Sequence, residues 1–182
     1  MPAPQTQYCT DRYIYTFIET YVNPIMCKYN IKPNYITFTN MILIMIMLIS
    51  FHYKINKYYL LGMMILYHII DCLDGSVARQ CKKQSYTGLI LDHISDGLCL
   101  LMYFYIIYIS LKKHKTLHIY TNYYLIIATL LYLFFCLFCI SEIFKINIDF
   151  IFHGKYENIQ TFHDNGVLSH FAIWVIITYL NS

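Results

Sequence analysis

The stretch DCLDGSVARQCKKQSYTGLILDHISDG, Asp71 to Gly97, places four aspartates between two of the most apolar runs in the chain. One apolar run begins near Tyr58 and reaches toward Arg79; the other extends from Gly88 to about Leu111. Each is long enough to cross a hydrocarbon layer, so Asp71, Asp74, Asp92 and Asp96 all fall within segments expected at membrane depth. Counted from Tyr58 at ~1.5 Å per residue, Asp71 lies ~20 Å into a ~30 Å layer. Asp92 and Asp96 are roughly 6 and 12 Å in from the other side. The depths match. At about 100° per residue, Asp71 and Asp74 share one face of the second span, and Ala78 returns to it. Gly88, Asp92 and Asp96 form an i, i+4, i+8 stripe on the third. The short connection over 80–87 predicts antiparallel neighbours whose acidic stripes face each other.

The rest of the chain agrees with a membrane protein. Of its 182 residues 58% are hydrophobic and 13% charged, far from the balance of a soluble domain. A formal net charge of +3, carried by scattered basic residues, is too small to suggest nucleic acid and fits interfacial anchors. Further spans are predicted over Tyr35–Phe51, about Tyr120–Phe144 and, short, Val167–Leu180. The stretch Ile143–Phe152, interrupted by Lys145 and Asp149, is an extension of the fourth span or an interfacial segment. Tyr13, Ile14, Phe17, Ile18, Tyr21, Val22, Ile25 and Met26 recur at helical spacing, predicting an amphipathic interfacial helix with Thr10 as N-cap and a kink at Pro24.

The expected fold is therefore an all-α integral membrane bundle of five or six transmembrane helices, five of them countable, with an N-terminal interfacial amphipathic helix. Residues 1–32 form an interfacial arm and 33–182 the membrane core of a single domain. The seven cysteines read as packed free thiols rather than a disulfide framework, and Cys136-x-x-Cys139 as core. No apolar region follows basic residues at the N-terminus, so no cleavable signal peptide is expected. On the face shared by the N-terminus and the loop after Arg79 lie Arg12, Lys28, Lys32, Arg79, Lys82, Lys83, Lys145 and Lys155. Opposite are Lys54, Lys57, Lys112, Lys113 and Lys115, so the aspartate-rich loop is expected to face the cytoplasm.

Four carboxylates at membrane depth repel one another, and even one Asp at a helix centre costs ~2.5 to 3.5 kcal/mol on insertion scales. A cation must offset them. Hard oxygen ligands favour Mg²⁺ or Mn²⁺, and Mg²⁺ is commonly held by a few carboxylates together with substrate phosphates. Gly75 and Gly88 open the backbone to a bulky ligand, and Arg79 is placed to pair with phosphate. The pattern reads as a pyrophosphate site. His68 and His93 read as space-filling, and Lys82 and Lys83 as solvated loop charges. Asn34 and Thr37 either reach a nucleotide or simply open the first span. A divalent-cation carrier would also explain the aspartates, but it leaves Gly75, Ala78, Arg79 and Gly88 without a role.

The run Asp71-x-x-Asp74-Gly75-x-x-Ala78-Arg79, eight residues, then Gly88-x-x-x-Asp92-x-x-x-Asp96, resembles position for position the signature of the CDP-alcohol phosphotransferases. That family also has an interfacial N-terminal helix, commonly six spans, and a first span often opening like Pro33-Asn34-Tyr35-Ile36-Thr37. The resemblance implies an enzyme of phospholipid synthesis that transfers a phosphoalcohol or phosphatidyl group from a CDP-linked donor to an acceptor hydroxyl, releasing CMP. It implies that Asp71, Asp74 and Asp92 hold Mg²⁺ or Mn²⁺, with Asp96 a further ligand or the base, and that Gly75, Ala78, Arg79 and Gly88 line the cytidine diphosphate pocket. It also implies membrane lipids and a homodimer as partners, and an endoplasmic-reticulum-like membrane in a eukaryotic cell. The complete motif argues against a non-catalytic scaffold. The run Leu91-Asp92-His93-x-x-Asp96, followed by Gly97 rather than a basic residue, is more similar to choline and ethanolamine phosphotransferases, whose acceptor is diacylglycerol.

Overall fold

A computed structural model of the chain describes residues 9–114, 117–153 and 166–180. Lys115 and Lys155 of the charge count lie outside them. All the described elements are helical. They are α1 (Cys9–Phe17), a π turn (Ile18–Val22), α2 (Asn23–Lys28), α3 (Pro33–His52), α4 (Lys57–Gln80), α5 (Tyr86–Lys113), a 3₁₀ turn (His118–Tyr120), α6 (Thr121–His153) and α7 (Gly166–Leu180).

Local chemistry sets most of the boundaries. Pro33 stands at the start of α3, where its missing N–H costs nothing. The Asn56 side chain accepts from Tyr58 N at 3.0 Å to open α4, and Ser85 Oγ accepts from Gly88 N at 3.1 Å to open α5. Helices α2, α3 and α4 end alike. Asn30, Lys54 and Lys82 take φ values of 55°, 54° and 56°, and the next N–H returns to a carbonyl five residues back: Ile31 to Met26, Ile55 to Ser50, Lys83 to Ala78. This is the Schellman closure with non-glycine residues in the left-handed position. It ends each of the three helices in a tight turn.

The kink expected at Pro24 is a π turn just before it. Asn23 N–H bonds to Ile18 O, five residues back, and the widened turn relieves the clash of a proline ring with the carbonyl four residues earlier. Thr10, expected as N-cap, lies one residue inside α1. Tyr13, Phe17, Tyr21, Ile25 and Tyr29 point outward, while Tyr15, Ile18 and Asn23 are buried. A π turn advances less than 360° in four residues and an α-turn more, so the π turn helps keep the outward i, i+4 stripe aligned.

Among the described residues four helices are long and apolar enough to cross a membrane: α3, α4, α5 and the segment Leu117–Ser141 that contains most of α6. The stretch Ile143–Phe152 continues α6 without a break. The fifth predicted span falls in α7, whose 15 residues cover ~22 Å, short of a ~30 Å layer.

The packing corrects one expectation. α4 and α5 are not backbone neighbours; each packs against α3 and against α7. Facing carboxylate stripes disfavour close approach, and Tyr67 of α4 occupies the space beside Ser95 and Cys99 of α5. The core fills the half of the bundle away from the aspartates, with Met47, Met64, Met102, Ile106 and Ile177 among its buried side chains. Trp174 Nε1 donates to Lys57 O at 2.9 Å and His114 stacks on Tyr179, fixing the C-terminal half of α7 at that end. α6 packs on the outside of α5.

The thiol expectation needs a second correction. Cys27 and Cys81 form a disulfide, with Cα atoms 5.5 Å apart, joining the last turn of α2 to the residue after α4. Docking of the arm on α4 through Asn23 brings these two helix ends together. Cys72, Cys99, Cys136 and Cys139 are free thiols.

Candidate active site

The gap between α4 and α5 collects the motif. Asp71 lies within electrostatic range of Asp74, Asp92 and Asp96, and Asp96 within range of Asp74 and Asp92. Asp92 lies within electrostatic range of His93 and of Arg79, exposed on the last turn of α4, and Asp74 within range of Arg79. Among the described residues, no three His, Cys, Asp or Glu side chains gather closely enough to form a ready-made metal cage.

Helix α3 closes the gap with polar side chains one turn apart. Thr37 Oγ1 donates to Asp74 Oδ2 at 2.6 Å, with both residues buried. A hydroxyl has one hydrogen to give, and the 3.4 Å separation from Pro33 O is the poorer alternative. Asn40, fully buried, donates from Nδ2 to Asp71 Oδ1 at 3.4 Å, while its Oδ1 has no hydrogen-bond partner among the described residues. Asn34 meets the motif elsewhere: a β-carbon on Gly88 would stand 3.0 Å from Asn34 Oδ1 and 3.0 Å from the capping Ser85 Oγ. Gly88 thus lets the starts of α3 and α5 meet. Thr37 does more than open a span, because it orients a motif carboxylate.

On α4 the spacing Gly75 to Arg79 is one turn, and a β-carbon on Gly75 would lie 3.2 Å from Arg79 Nη1. The guanidinium folds back over the glycine. Ala78 is half-buried on the same turn, and its carbonyl closes the helix by accepting from Lys83 N. Lys83 is no free loop charge, since Nζ donates to Ile31 O at 3.0 Å; Lys82 is exposed. His68 contacts Cys72 on its own helix at 3.5 Å, as a space-filling histidine would. His93 lies next to Asp92, with a buried Nε2 that no described residue hydrogen-bonds.

Four residues were missed in the sequence. Asn40 had a readable signal, a polar side chain inside an apolar span at helical spacing from Thr37. Tyr67, buried beside Asp96, and Tyr15 and Asn23 of the arm carried no signal separable from ordinary helix packing.

The family model for CDP-alcohol phosphatidyltransferase matches residues 30–180. The chain belongs to the CDP-alcohol phosphatidyltransferase family. Membership makes it a membrane transferase of phospholipid synthesis, with a CDP-alcohol donor and an alcohol acceptor. No curated protein and no solved structure matches the chain.

Proposed function

We propose that the protein moves a phosphoalcohol group from a CDP-linked donor to an acceptor hydroxyl, releasing CMP, in the gap between α4 and α5. The supporting observation is the convergence of Asp71 and Asp74 with Asp92 and Asp96, beside Arg79, inside an apolar bundle. The donor set fits Mg²⁺ or Mn²⁺ in being all hard oxygen, since such ions are commonly held by a few carboxylates together with substrate phosphates. When bound, such ions neutralise the phosphoryl oxygens. Asp71, Asp74 and Asp92 would hold them, with Asn40 and Thr37 steadying Asp71 and Asp74.

Arg79 pairs with the pyrophosphate, and Gly75, Ala78 and Gly88 line the pocket, Gly75 by giving the guanidinium room to fold back and Gly88 by letting Asn34 approach. Asp96 takes the proton of the acceptor hydroxyl. The acceptor oxygen bonds to the phosphorus carrying the alcohol group, and the bond from that phosphorus to the bridging oxygen breaks, so CMP leaves with that oxygen. The acceptor in this reading is a neutral lipid alcohol of the diacylglycerol type. Gly97, the residue after Asp96, faces Phe135 Cε1 and Tyr132 OH on α6, at 3.4 and 3.7 Å from the position of a β-carbon. This wall carries no charge.

The isosteric Asp→Asn series tests these roles. Asp71→Asn, Asp74→Asn and Asp92→Asn should weaken both Mg²⁺ and CDP binding. Asp96→Asn should keep both and lower turnover by ~10² to 10⁴-fold, the usual contribution of a general base. Near-normal turnover in Asp96→Asn removes the base assignment.

The loop over 81–85 is proposed to face the cytoplasm, on the Lys and Arg asymmetry. The outward Tyr13, Phe17, Tyr21, Ile25 and Tyr29 stripe supports an arm lying in the interface of that side. The Cys27–Cys81 disulfide opposes the cytoplasmic assignment, because cytosolic thiols are kept reduced. A single cysteine at exposed Gln84 on a cysteine-free background decides. Labelling from the cytoplasmic side is expected, and labelling only from the other side reverses the orientation.

A further inference from the structure

Arg79 is held from two sides. Gly75 lies beneath Nη1, and the guanidinium carbon stands 5.7 Å from the ring centroid of Tyr15. Tyr15 comes from α1, outside residues 30–180 matched by the family model. It is 7% exposed, packed with Ile18 and Cys72, while Arg79 itself is exposed. Burial keeps the Tyr15 phenol well above its usual titration range, so the ring is neutral and meets the guanidinium with its π system rather than as a phenolate.

The arm is tied to α4 on either side of Arg79. Asn23 Nδ2 donates to Ser76 Oγ at 2.8 Å and to Gln80 Oε1 at 2.6 Å, Gln80 Nε2 donates to Glu19 O at 3.3 Å, and Cys27 is bonded to Cys81. These ties bracket Arg79 on both sides in sequence. They fix the height of Tyr15 against the last two turns of α4.

A carboxylate partner would orient Arg79 too, but it would occupy the N–H fork that a phosphate needs. A ring face uses none of the five N–H donors. We propose that Tyr15 is a positioning residue for the donor, its ring holding the Arg79 guanidinium so that the N–H fork stays open to the pyrophosphate. The proposal rests on the CDP-linked donor reading given above.

The test uses full-length protein in nanodiscs with Mg²⁺ and labelled CDP, the part common to all such donors. Tyr15→Phe should bind CDP within about twofold of wild type, because the ring face is kept. Tyr15→Leu, which fills much of the same apolar space, should weaken binding roughly threefold to thirtyfold, the range that cation–π contacts span from exposed to desolvated sites. In an Arg79→Ala background the same change should do almost nothing further, since the two residues act as one unit. Tyr15→Met replaces Leu if that variant does not hold its fold.

A merely structural role predicts that the Tyr15→Leu and Arg79→Ala losses add, or that Tyr15→Phe is as damaged as Tyr15→Leu; either result overturns the proposal. Wild-type protein that binds CDP, with Tyr15→Leu unchanged, overturns it while sparing the donor reading. Wild-type protein that binds no CDP overturns both.

Discussion

Replacing Thr37 by Val removes one hydroxyl from the wall of the gap and leaves the shape of the side chain nearly intact. The bond lost is short, 2.6 Å to Asp74 Oδ2, and its ends are 3% and 4% exposed, so water cannot step in for the missing donor. Hydrogen bonds to a charged group contribute roughly 1.5 to 3 kcal/mol. Thr37→Val should therefore lose about that much unfolding free energy in detergent micelles without ligand. Thr37→Ser keeps the donor and gives up one methyl group, at a cost of ~0.8 kcal/mol. Magnesium-dependent CDP affinity should fall in the Val variant, because Asp74 must then be ordered at the moment of binding. A double-mutant cycle with Asp74→Ala isolates the pair and should return a coupling of at least ~1 kcal/mol. A Val variant within about 0.5 kcal/mol of wild type, or a coupling near zero, refutes the claim that α3 sets this carboxylate.

The two motif glycines should respond differently to alanine. In Gly75→Ala the new β-carbon meets only the flexible end of Arg79, so the helix gains roughly 0.8 to 1 kcal/mol of propensity while CDP binding weakens; unchanged CDP affinity would contradict the folded-back guanidinium. In Gly88→Ala a similar gain is offset by about 1 kcal/mol as Ser85 is pushed from its cap, so stability should move little while Asn34 is displaced and CDP affinity drops; a loss beyond about 3 kcal/mol would show the α3–α5 contact to be more rigid than argued. The Cys27–Cys81 pair should resist maleimide in protein purified without reductant and react after dithiothreitol; labelling of both before reduction would show the bond absent.

The helices were legible because each relies on local rules: apolar runs of spanning length, Pro33 at a helix start, and a proline at residue 24. The acidic stripes were legible for the same reason, since 3.6-residue periodicity alone puts Asp71 with Asp74 and Asp92 with Asp96. Adjacency was harder to read. The short connection over 80–87 suggested that α4 and α5 touch, yet α3 and α7 both wedge against them, and the order in which helices pack depends on side-chain volumes such as that of Tyr67. The disulfide was out of reach because Cys27 and Cys81 are 54 residues apart and meet only through the docking of Asn23. Tyr15 lies outside the periodic positions that marked the amphipathic helix, and nothing in the sequence singled it out. Its ring becomes specific only when the arm turns back onto Arg79.

The central claim is that this chain makes and breaks the bond between CMP and a phosphoalcohol. Membranes containing the protein, given labelled CMP and Mg²⁺ together with unlabelled CDP-choline, CDP-ethanolamine or CDP-diacylglycerol and the phospholipid products of the membrane, test it through the reverse reaction. Label should enter at least one CDP-alcohol, with EDTA and Asp96→Asn each abolishing most of the exchange, and entry into CDP-choline or CDP-ethanolamine would support the neutral lipid acceptor. No label in any of the three, from folded wild-type protein in Mg²⁺ or Mn²⁺, would contradict the account.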